Sequence, residues 1–322
     1  MFSFGKSKRI VNIVINDYVI RAIESNNGLS SIHAVYEKPL PINTIENGKI
    51  VDEIGFFEFI QEIVAEWGIK NRNVRFYAPE PLVIMRDIDI PENVAEDEVK
   101  QYITMEIGNT IHFPFTNPVF DLYDVENKRG KITVLAAPEE EIIKYTEVFV
   151  DAKLQPIAVD IQPLGIYRYF LHTKGLPKRD EAYMFLELSL TSLSMSIFHQ
   201  HKLEFLRYQP LSISANDWQP QESEQLTWTY TGDESRLETD INDQLNEIER
   251  VMNFYRFSLH QGARTITNIV LLGDYPKLQQ LQSYIDERYD VKTTMLHIIE
   301  NDIQHINTSF IPALGLALKG GK

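Results

Sequence analysis

One strand pattern occurs twice in this chain and constrains its fold more than any other feature. Residues 10–36 alternate as three strands, with tight turns near Asn16-Asp17 and at Ser25 to Gly28. The same arrangement returns over residues 183–210, and in each copy a helix follows later in the chain. The repetition indicates an internal duplication of a mixed α/β unit, so we predict two lobes.

The region between the two copies predicts a further subdomain. From Pro79 a strand, a helix, a hairpin and another helix follow in close succession. We interpret them as an insertion into the first lobe. The predicted limits are 1–78 and 156–178 for the first lobe, 79–155 for the insert and 179–322 for the second lobe.

The second lobe contains two further predicted features. Residues 217–234 are rich in acidic side chains and are predicted to form a loop. Apolar residues then recur at three- and four-residue steps and predict a helix over 237–257 with one buried face. A last helix near Phe310 to Leu318 is expected to pack back near the first lobe.

Composition excludes several classes of protein. A net charge of −15 argues against a general nucleic-acid binder, which needs a surplus of basic residues. The absence of cysteine excludes disulfides, iron–sulfur centres and thiol nucleophiles, and is compatible with a cytosolic location. His199 and His201 could chelate a metal from one face of a strand, but no third ligand is in view, so we predict no metal site.

Several short motifs, taken in their order along the chain, resemble those of a known family. Over nearly its whole length the sequence resembles the PilM family of type IV pilus assembly proteins, actin-like relatives of the cell-division protein FtsA. The matching stretches are Phe4 to Lys6, Asn47 to Asp52, Ile88 to Pro91, Tyr102 to Glu106, Ile111 to Phe115, Ala136 to Pro138, Pro156 to Asp160, Glu247 to Tyr255 and Ala313 to Leu318.

The resemblance implies a fold and a partner. The fold is α/β and actin-like (ribonuclease H-like), with two duplicated lobes built on mixed sheets and an FtsA-type insert. Members of the family act at the cytoplasmic face of the inner membrane. There they bind the N-terminal tail of the membrane protein PilN in a groove between the first lobe and the insert. Other pilus platform proteins stay open as further partners, and the related type II secretion system stays open as the machine in which the protein acts. No nucleic acid is expected.

The resemblance also identifies three loops that hold ATP in the family, and all three are altered here. The small or acidic residues of the first turn are replaced, so that Asp17 would repel a phosphate 4 Å away by about 4 kcal/mol at an effective dielectric of 20. The glycine of the second turn is lost, and one glycine remains in the adenosine loop. We therefore expect no bound nucleotide and no enzymatic activity. The degenerate positions are Val14, Asn16, Asp17, Tyr18, Glu187, Ser189, Gly273 and Asp274.

The junction of the first lobe with the insert combines aromatic, apolar and basic residues suited to an extended peptide. The same residues could instead form the core of the insert, and for Ile84 and Phe113 taken alone that reading is favoured. The residues predicted to bind the partner peptide are Phe76, Tyr77, Ile84, Met85, Arg86, Met105, Phe113 and Phe115.

Three functions are compatible with the resemblance. We favour a non-catalytic adaptor that binds a PilN-like tail and lies at the membrane through that partner. The alternative is an actin-like ATPase that couples nucleotide state to pilus assembly. A filament-forming protein like FtsA is a third, although such proteins carry an amphipathic membrane helix beyond the core and this chain is expected to lack one.

Overall fold

Two five-stranded sheets of identical topology form the two halves of the molecule. In each sheet the first three strands form an antiparallel meander, and two later strands add in parallel beside the first. The duplication predicted from the sequence is therefore confirmed. In each sheet the two outermost strands are therefore the third strand of the meander and the last strand added along the chain.

This computed structural model describes residues 9–26, 28–124, 130–178, 180–222, 225–299, 303 and 306–320. The first matching motif, Phe4 to Lys6, lies outside them. The strands of lobe 1 are β1 (Ile10–Asn16), β2 (Val19–Ser25), β3 (Ile32–Pro39), the short β4 (Ile45–Glu46) and β5 (Lys49–Ile50), β6 (Asn73–Tyr77) and β10 (Gln155–Asp160). Those of lobe 2 are β11 (Ala182–Leu188), β12 (Ser192–His199), β13 (Lys202–Pro210), β16 (Asn268–Gly273) and β17 (Lys292–Met295).

Helices cover both faces of the lobe 1 sheet, so β1 and β2 are buried along most of their length. On one face α1 (Glu53–Glu66) and α3 (Glu139–Asp151) bury Val11 and Ile13 of β1. On the other face lie α4 (Gln162–Lys174) and α7 (Ile311–Ala317). The α4–α7 layer also contacts the lobe 2 sheet, because one apolar cluster joins Val14, Ile166, Phe185 and Leu314. The two lobes thus share a central helical layer.

The insert is a three-stranded antiparallel sheet with a small core of its own. It consists of β7 (Ile84–Asp89), β8 (Pro118–Asp124), β9 (Lys131–Pro138) and α2 (Val99–Glu106), in the sheet order β7-β9-β8. The sequence predicts α3 as part of the insert, but α3 packs on lobe 1. Its Tyr145 and Phe149 are buried against Phe56 and Phe76 at ring distances of 5.2–6.5 Å.

A hairpin replaces most of the loop expected over 217–234. Strands β14 (Trp218–Glu222) and β15 (Leu226–Tyr230) pair antiparallel over five residues each. Every second residue, among them Leu226, Trp228 and Tyr230, packs against the lobe 2 core. This period-two burial stabilises strands despite the acidic composition. The helices of lobe 2 are α5 (Glu234–Asn253), continued by a π-helical turn (Phe254–Leu259), and α6 (Leu278–Arg288).

The contact between α4 and α7 is close enough to test by mutation. A Cβ at Gly315 would lie 2.0 Å from the carbonyl oxygen of Gly165. We expect Gly315→Val to lower the free energy of unfolding by about 3 kcal/mol, because the backbones of both helices must move apart. Urea denaturation followed by circular dichroism measures the change.

Gly175→Val is the matched control. No heavy atom would lie within 4 Å of its Cβ, and only its φ of 75° is strained, so a loss of about 1–2 kcal/mol is expected. A loss at Gly315 no larger than that at Gly175 would contradict a tight α4–α7 contact.

Candidate functional site

The altered loops meet between the two lobes because equivalent strands of the duplicated sheets face each other. The turn after β1 carries Tyr18, whose side chain enters the apolar cluster of lobe 2. There Tyr18 Oη donates to both carboxylate oxygens of Asp274, at 2.7 and 2.8 Å. Its ring packs edge-on against Trp228 at 5.1 Å. Residues from the first turn and the adenosine loop are therefore in direct contact.

Arg21 completes a buried ion cluster with Tyr18 and Asp274. Its Nη2 donates to Asp274 Oδ2 at 2.6 Å and its Nε to Glu37 Oε1 at 2.5 Å. Tyr18 and Arg21 are each 3% exposed. Burial and the neighbouring carboxylate of Asp274 raise the pKa of Tyr18 well above its ordinary value, so the phenol keeps its proton and donates. Burial alone would lower the pKa of Arg21, but Asp274, Tyr18 and Glu37 raise it overall.

The second turn satisfies its own backbone donors. The amides of Thr191 and Ser192 donate to Ser189 Oγ at 3.3 and 3.0 Å. The amide of Leu190 lies 3.5 Å from Tyr18 Oη. Phosphate binding in a turn depends on free N–H groups that converge on the anion. In this turn those donors are already bonded to the protein's own hydroxyl groups.

Asp17 makes a structural contact within lobe 1. Its carboxylate accepts hydrogen bonds from the amides of Asn47 and Gly48, at 2.7 and 3.1 Å. Burial raises the pKa of Asp17, these two bonds oppose the rise, and the charge of Glu46 adds to it. Through these two hydrogen bonds, Asp17 connects the first turn to the β4–β5 hairpin.

Of three other predicted positions, two have packing roles and one lines a cavity. Val14 is buried in the cluster around α4 and α7, and Asn16 lines the cavity described below. Gly273 has a φ of 125°, and a Cβ there would lie 2.0 Å from the Leu188 carbonyl oxygen. Glycine is required because the end of β16 approaches β11 so closely.

A small cavity remains in the interlobe cleft. Its volume is about 50 Å³, and its lining includes Asp17, Glu80, Gln162, Glu187 and Ser194. Pockets that hold drug-sized ligands measure about 300–1,000 Å³. This cavity has room for one or two water molecules but not for a nucleotide.

Two carboxyl groups face this cavity from different parts of the fold. Gln162 Nε2 donates to Glu187 Oε2 at 2.8 Å, and Ser194 Oγ donates to Glu80. Burial raises the pKa of Glu80 to about 7. Burial, followed by the charge of Glu80, raises the pKa of Glu187 to about 8, with a smaller rise from Asp274 and an opposing effect of Arg21. At least one of the pair therefore holds a proton near neutral pH.

A larger groove lies between lobe 1 and the insert. It has a volume of about 410 Å³ and a mainly apolar lining that includes Val119, Phe120, Leu122, Val159 and Leu164. Strands β8 and β10 border it, and each is the outermost strand of its sheet. Val119 is 44% exposed and Val159 is 36% exposed. At its rim Lys100 pairs with Asp121 at 3.3 Å and Lys319 with Asp160 at 3.2 Å.

None of the eight residues predicted to bind a peptide lines this groove. Phe76 is buried in the lobe 1 core, and Tyr77 is buried with its Oη donating to the Pro312 carbonyl at 2.8 Å. The other six belong to the insert or its first strand. Phe113 and Phe115 stack at 5.8 Å against its core, Arg86 donates to the His112 carbonyl, and Met105 is 60% exposed. Ile84 and Met85 are half-buried on β7. Their neighbours Ala78 and Val83 do line the groove.

Sequence reasoning missed Arg21, Glu80 and Gln162. A signal was available for Arg21, since a charged residue within the apolar run Val19 to Ile23 of a central strand requires a buried partner. Glu80 and Gln162 follow strand ends, where polar residues are common, so nothing in the sequence distinguishes them.

His199 and His201 have separate partners. His199 lies 3.4 Å from Glu204, whereas His201 Nδ1 lies 2.9 Å from Tyr167 Oη. Within the described ranges no group of three or more His, Asp or Glu side chains is arranged to hold a metal ion. The helices described here include none with the length and apolar content needed to cross a bilayer.

Comparison with known proteins identifies the family. The model of the family "Type IV pilus assembly protein PilM" matches residues 13–213, more than half of the 322 residues. The chain belongs to the PilM family. No curated protein matches the sequence significantly.

Solved structures confirm the actin-like fold predicted from the resemblance. A PilM–PilN type IV pilus biogenesis complex superposes with a TM-score of 0.76 and 19% identity, covering 98% of this chain and 100% of that one. MreB5 of Spiroplasma citri bound to ADP gives 0.52 at 8% identity, over 98% and 96% of the two chains. The cytoplasmic domain of EpsL, from the type II secretion system of Vibrio cholerae, gives 0.50 at 8% identity, over 98% and 96%.

The carboxyl pair makes the stability of this PilM family member depend on pH. A folded-state pKa raised above the unfolded value of 4.5 favours the protonated form in the folded protein. The contribution of Glu187 to stability is therefore fully present below about pH 4.5 and is lost as the pH rises to about 8. We expect Glu187→Gln, which stays neutral, to remove on the order of 3 kcal/mol of this decline between pH 5 and pH 8.5. Urea denaturation across that range measures it.

Glu238→Gln serves as the control because Glu238 is exposed. It should leave the slope of stability against pH unchanged. If Glu187→Gln and wild type decline in parallel, Glu187 is ionised in the folded protein at neutral pH and the assignment is wrong.

Proposed function

We propose that this chain is a non-catalytic adaptor of a type IV pilus, or related type II secretion, assembly platform. It binds the N-terminal cytoplasmic tail of a PilN-like inner-membrane protein in the groove between lobe 1 and the insert. It therefore works at the cytoplasmic face of the membrane and links the partner to other platform proteins. Family membership and the similarity to a PilM–PilN complex support this proposal.

The observation that carries the proposal is the groove bordered by two outer strands. The outward N–H and C=O groups of β8 and β10 are free of strand partners within the described sheets. An extended peptide can pair with such an edge through its backbone, while alternate side chains enter apolar pockets. The mainly apolar groove of about 410 Å³ provides those pockets.

The filled interlobe cleft supports the non-catalytic part of the proposal. Tyr18, Arg21 and Asp274 bond to one another where the altered loops meet. ATP could enter only if this buried cluster separated. Breaking a buried ion pair typically costs about 3–5 kcal/mol, and the isolated charges would then have to be solvated.

Binding of the tail can be tested with a synthetic peptide of the cytoplasmic segment of the PilN-like protein from the same organism. We expect Val159→Glu to weaken binding at least tenfold, since it places a charge in the apolar groove (about 1.4 kcal/mol or more). Val159 is exposed enough for the fold to survive the change. Fluorescence anisotropy of the labelled peptide measures the affinity.

Ile143→Glu is a matched control, because Ile143 is an aliphatic residue 45% exposed on α3 and is not part of the groove lining.

Arg86→Glu and Phe115→Ala test the residues chosen from the sequence. Loss of binding in those two variants, with Val159→Glu unaffected, would move the site from the groove to the outer face of the insert.

Nucleotide binding is a separate test. Calorimetric titration of the protein with ATP and Mg²⁺ should give no saturable heat up to about 1 mM nucleotide. Tyr18, Arg21 and Asp274 occupy the place where the altered loops meet, and the backbone donors of the second turn are already bonded. A micromolar dissociation constant would contradict the non-catalytic proposal and favour an ATPase. The tail-binding result would be unaffected by that outcome.

A further inference from the structure

The C-terminal end of α5 exposes an unusual number of apolar side chains. Beyond Asn253 the helix widens into the π-helical turn, and we call residues 250–264 the lobe 2 tip. In the tip Phe254 is 46% exposed, Phe257 56% and Leu259 41%. Large apolar residues grouped at a surface commonly mark an interaction site, as do π-helical turns.

The tip is held rigidly by a polar cluster beneath it. Tyr255 is fully buried and donates to Glu204 Oε2 at 2.7 Å. Arg264 donates to both oxygens of Glu204 at 2.6 and 2.8 Å, and His260 lies 3.2 Å from the same carboxylate. These bonds fix the backbone on both sides of the exposed residues. Phe257 and Leu259 therefore cannot fold inward to bury their side chains.

The charge of the tip is opposite to that of the whole chain. The protein carries a net charge of −15, yet no Asp or Glu occurs from Arg250 to Gly273, which includes three arginines. Arg250 is 75% exposed and shares the buried carboxylate of Glu247 with Arg207, which is 45% exposed. The guanidinium of Arg256 lies 4.9 Å from the centre of the Phe257 ring. Among the described residues, no carboxylate lies within 4 Å of this guanidinium, the distance that defines an ion pair.

We propose that the lobe 2 tip rests on an anionic lipid surface. Arginines beside protruding aromatic residues are the combination that binds a bilayer interface, with the rings among the acyl chains and the cations among the headgroups. Three large apolar side chains of the tip are exposed by 41–56%. A stable protein interface needs about 800 Å² from each partner, whereas two or three inserted side chains suffice for peripheral lipid contact. This proposal does not depend on the groove or on a PilN-like tail.

Vesicle flotation tests the proposal with the protein alone. Wild type should float with vesicles of equal phosphatidylglycerol and phosphatidylcholine at low salt, and not with phosphatidylcholine vesicles. We expect the double variant R256E/F257S to reduce the partition coefficient about tenfold or more. Binding should also weaken on raising the salt concentration, because screening shortens the reach of the arginine charges.

The control I54S/K178E removes one exposed apolar residue and reverses one exposed lysine on other surfaces. It should bind anionic vesicles as wild type does. The proposal is overturned if wild type stays unbound, if it binds neutral vesicles equally, or if both double variants lose binding to the same extent. Absence of vesicle binding together with retention on a polyglutamate resin would assign the tip to an acidic protein instead.

Discussion

The carboxylate of Asp274, shared by Tyr18 and Arg21, joins the two halves of the molecule where the first turn of lobe 1 meets lobe 2. It belongs to lobe 2, while both donors come from the first hairpin of lobe 1. With this contact formed, Tyr18 is a part of the lobe 2 core. Beside it lie a polar cavity of about 50 Å³ and a second cavity of about 260 Å³ that residues of both lobes also line. Asp17, Ser189 and Gly273 then have structural partners within the protein, so each altered loop is stable without a ligand.

The shape of the rest of the molecule follows from that fixed arrangement. Lobe 1 and lobe 2 share α4 and α7, and the insert projects from lobe 1 so that β8 faces β10 across an open groove. The largest apolar concavity described here therefore lies beside the insert and not between the lobes. On the proposed function, the sheet edge beside the insert is the binding surface and the space between the lobes holds no nucleotide.

Sequence patterns predicted the duplicated strands well, because short alternating segments and tight turns depend on local residues. They failed for the 218–230 hairpin, where acidic residues obscured the inward alternation of Leu226, Trp228 and Tyr230. Phe76 was predicted at a binding surface, but β6 is a central parallel strand covered on both faces. The sequence of such a strand does not alternate between apolar and polar residues, so the burial of Phe76 could not be recognised from it. The groove could not be predicted from Val119 and Val159, since it depends on how the insert is oriented against lobe 1.

The position of α7 has a consequence for biosynthesis. This helix lies near residue 314, yet it completes the core around Val14 and Ile23. Its backbone carbonyl groups accept hydrogen bonds from the side chains of Arg75 and Tyr77 of lobe 1. About 270 residues of synthesis therefore separate the first strands from the helix that covers them. At roughly 5–20 residues per second a ribosome needs on the order of 15–55 s for that interval. During this time the part of the N-terminal sheet that α7 covers stays exposed, even after α4 on the same face has been made, and it is a natural substrate for chaperones.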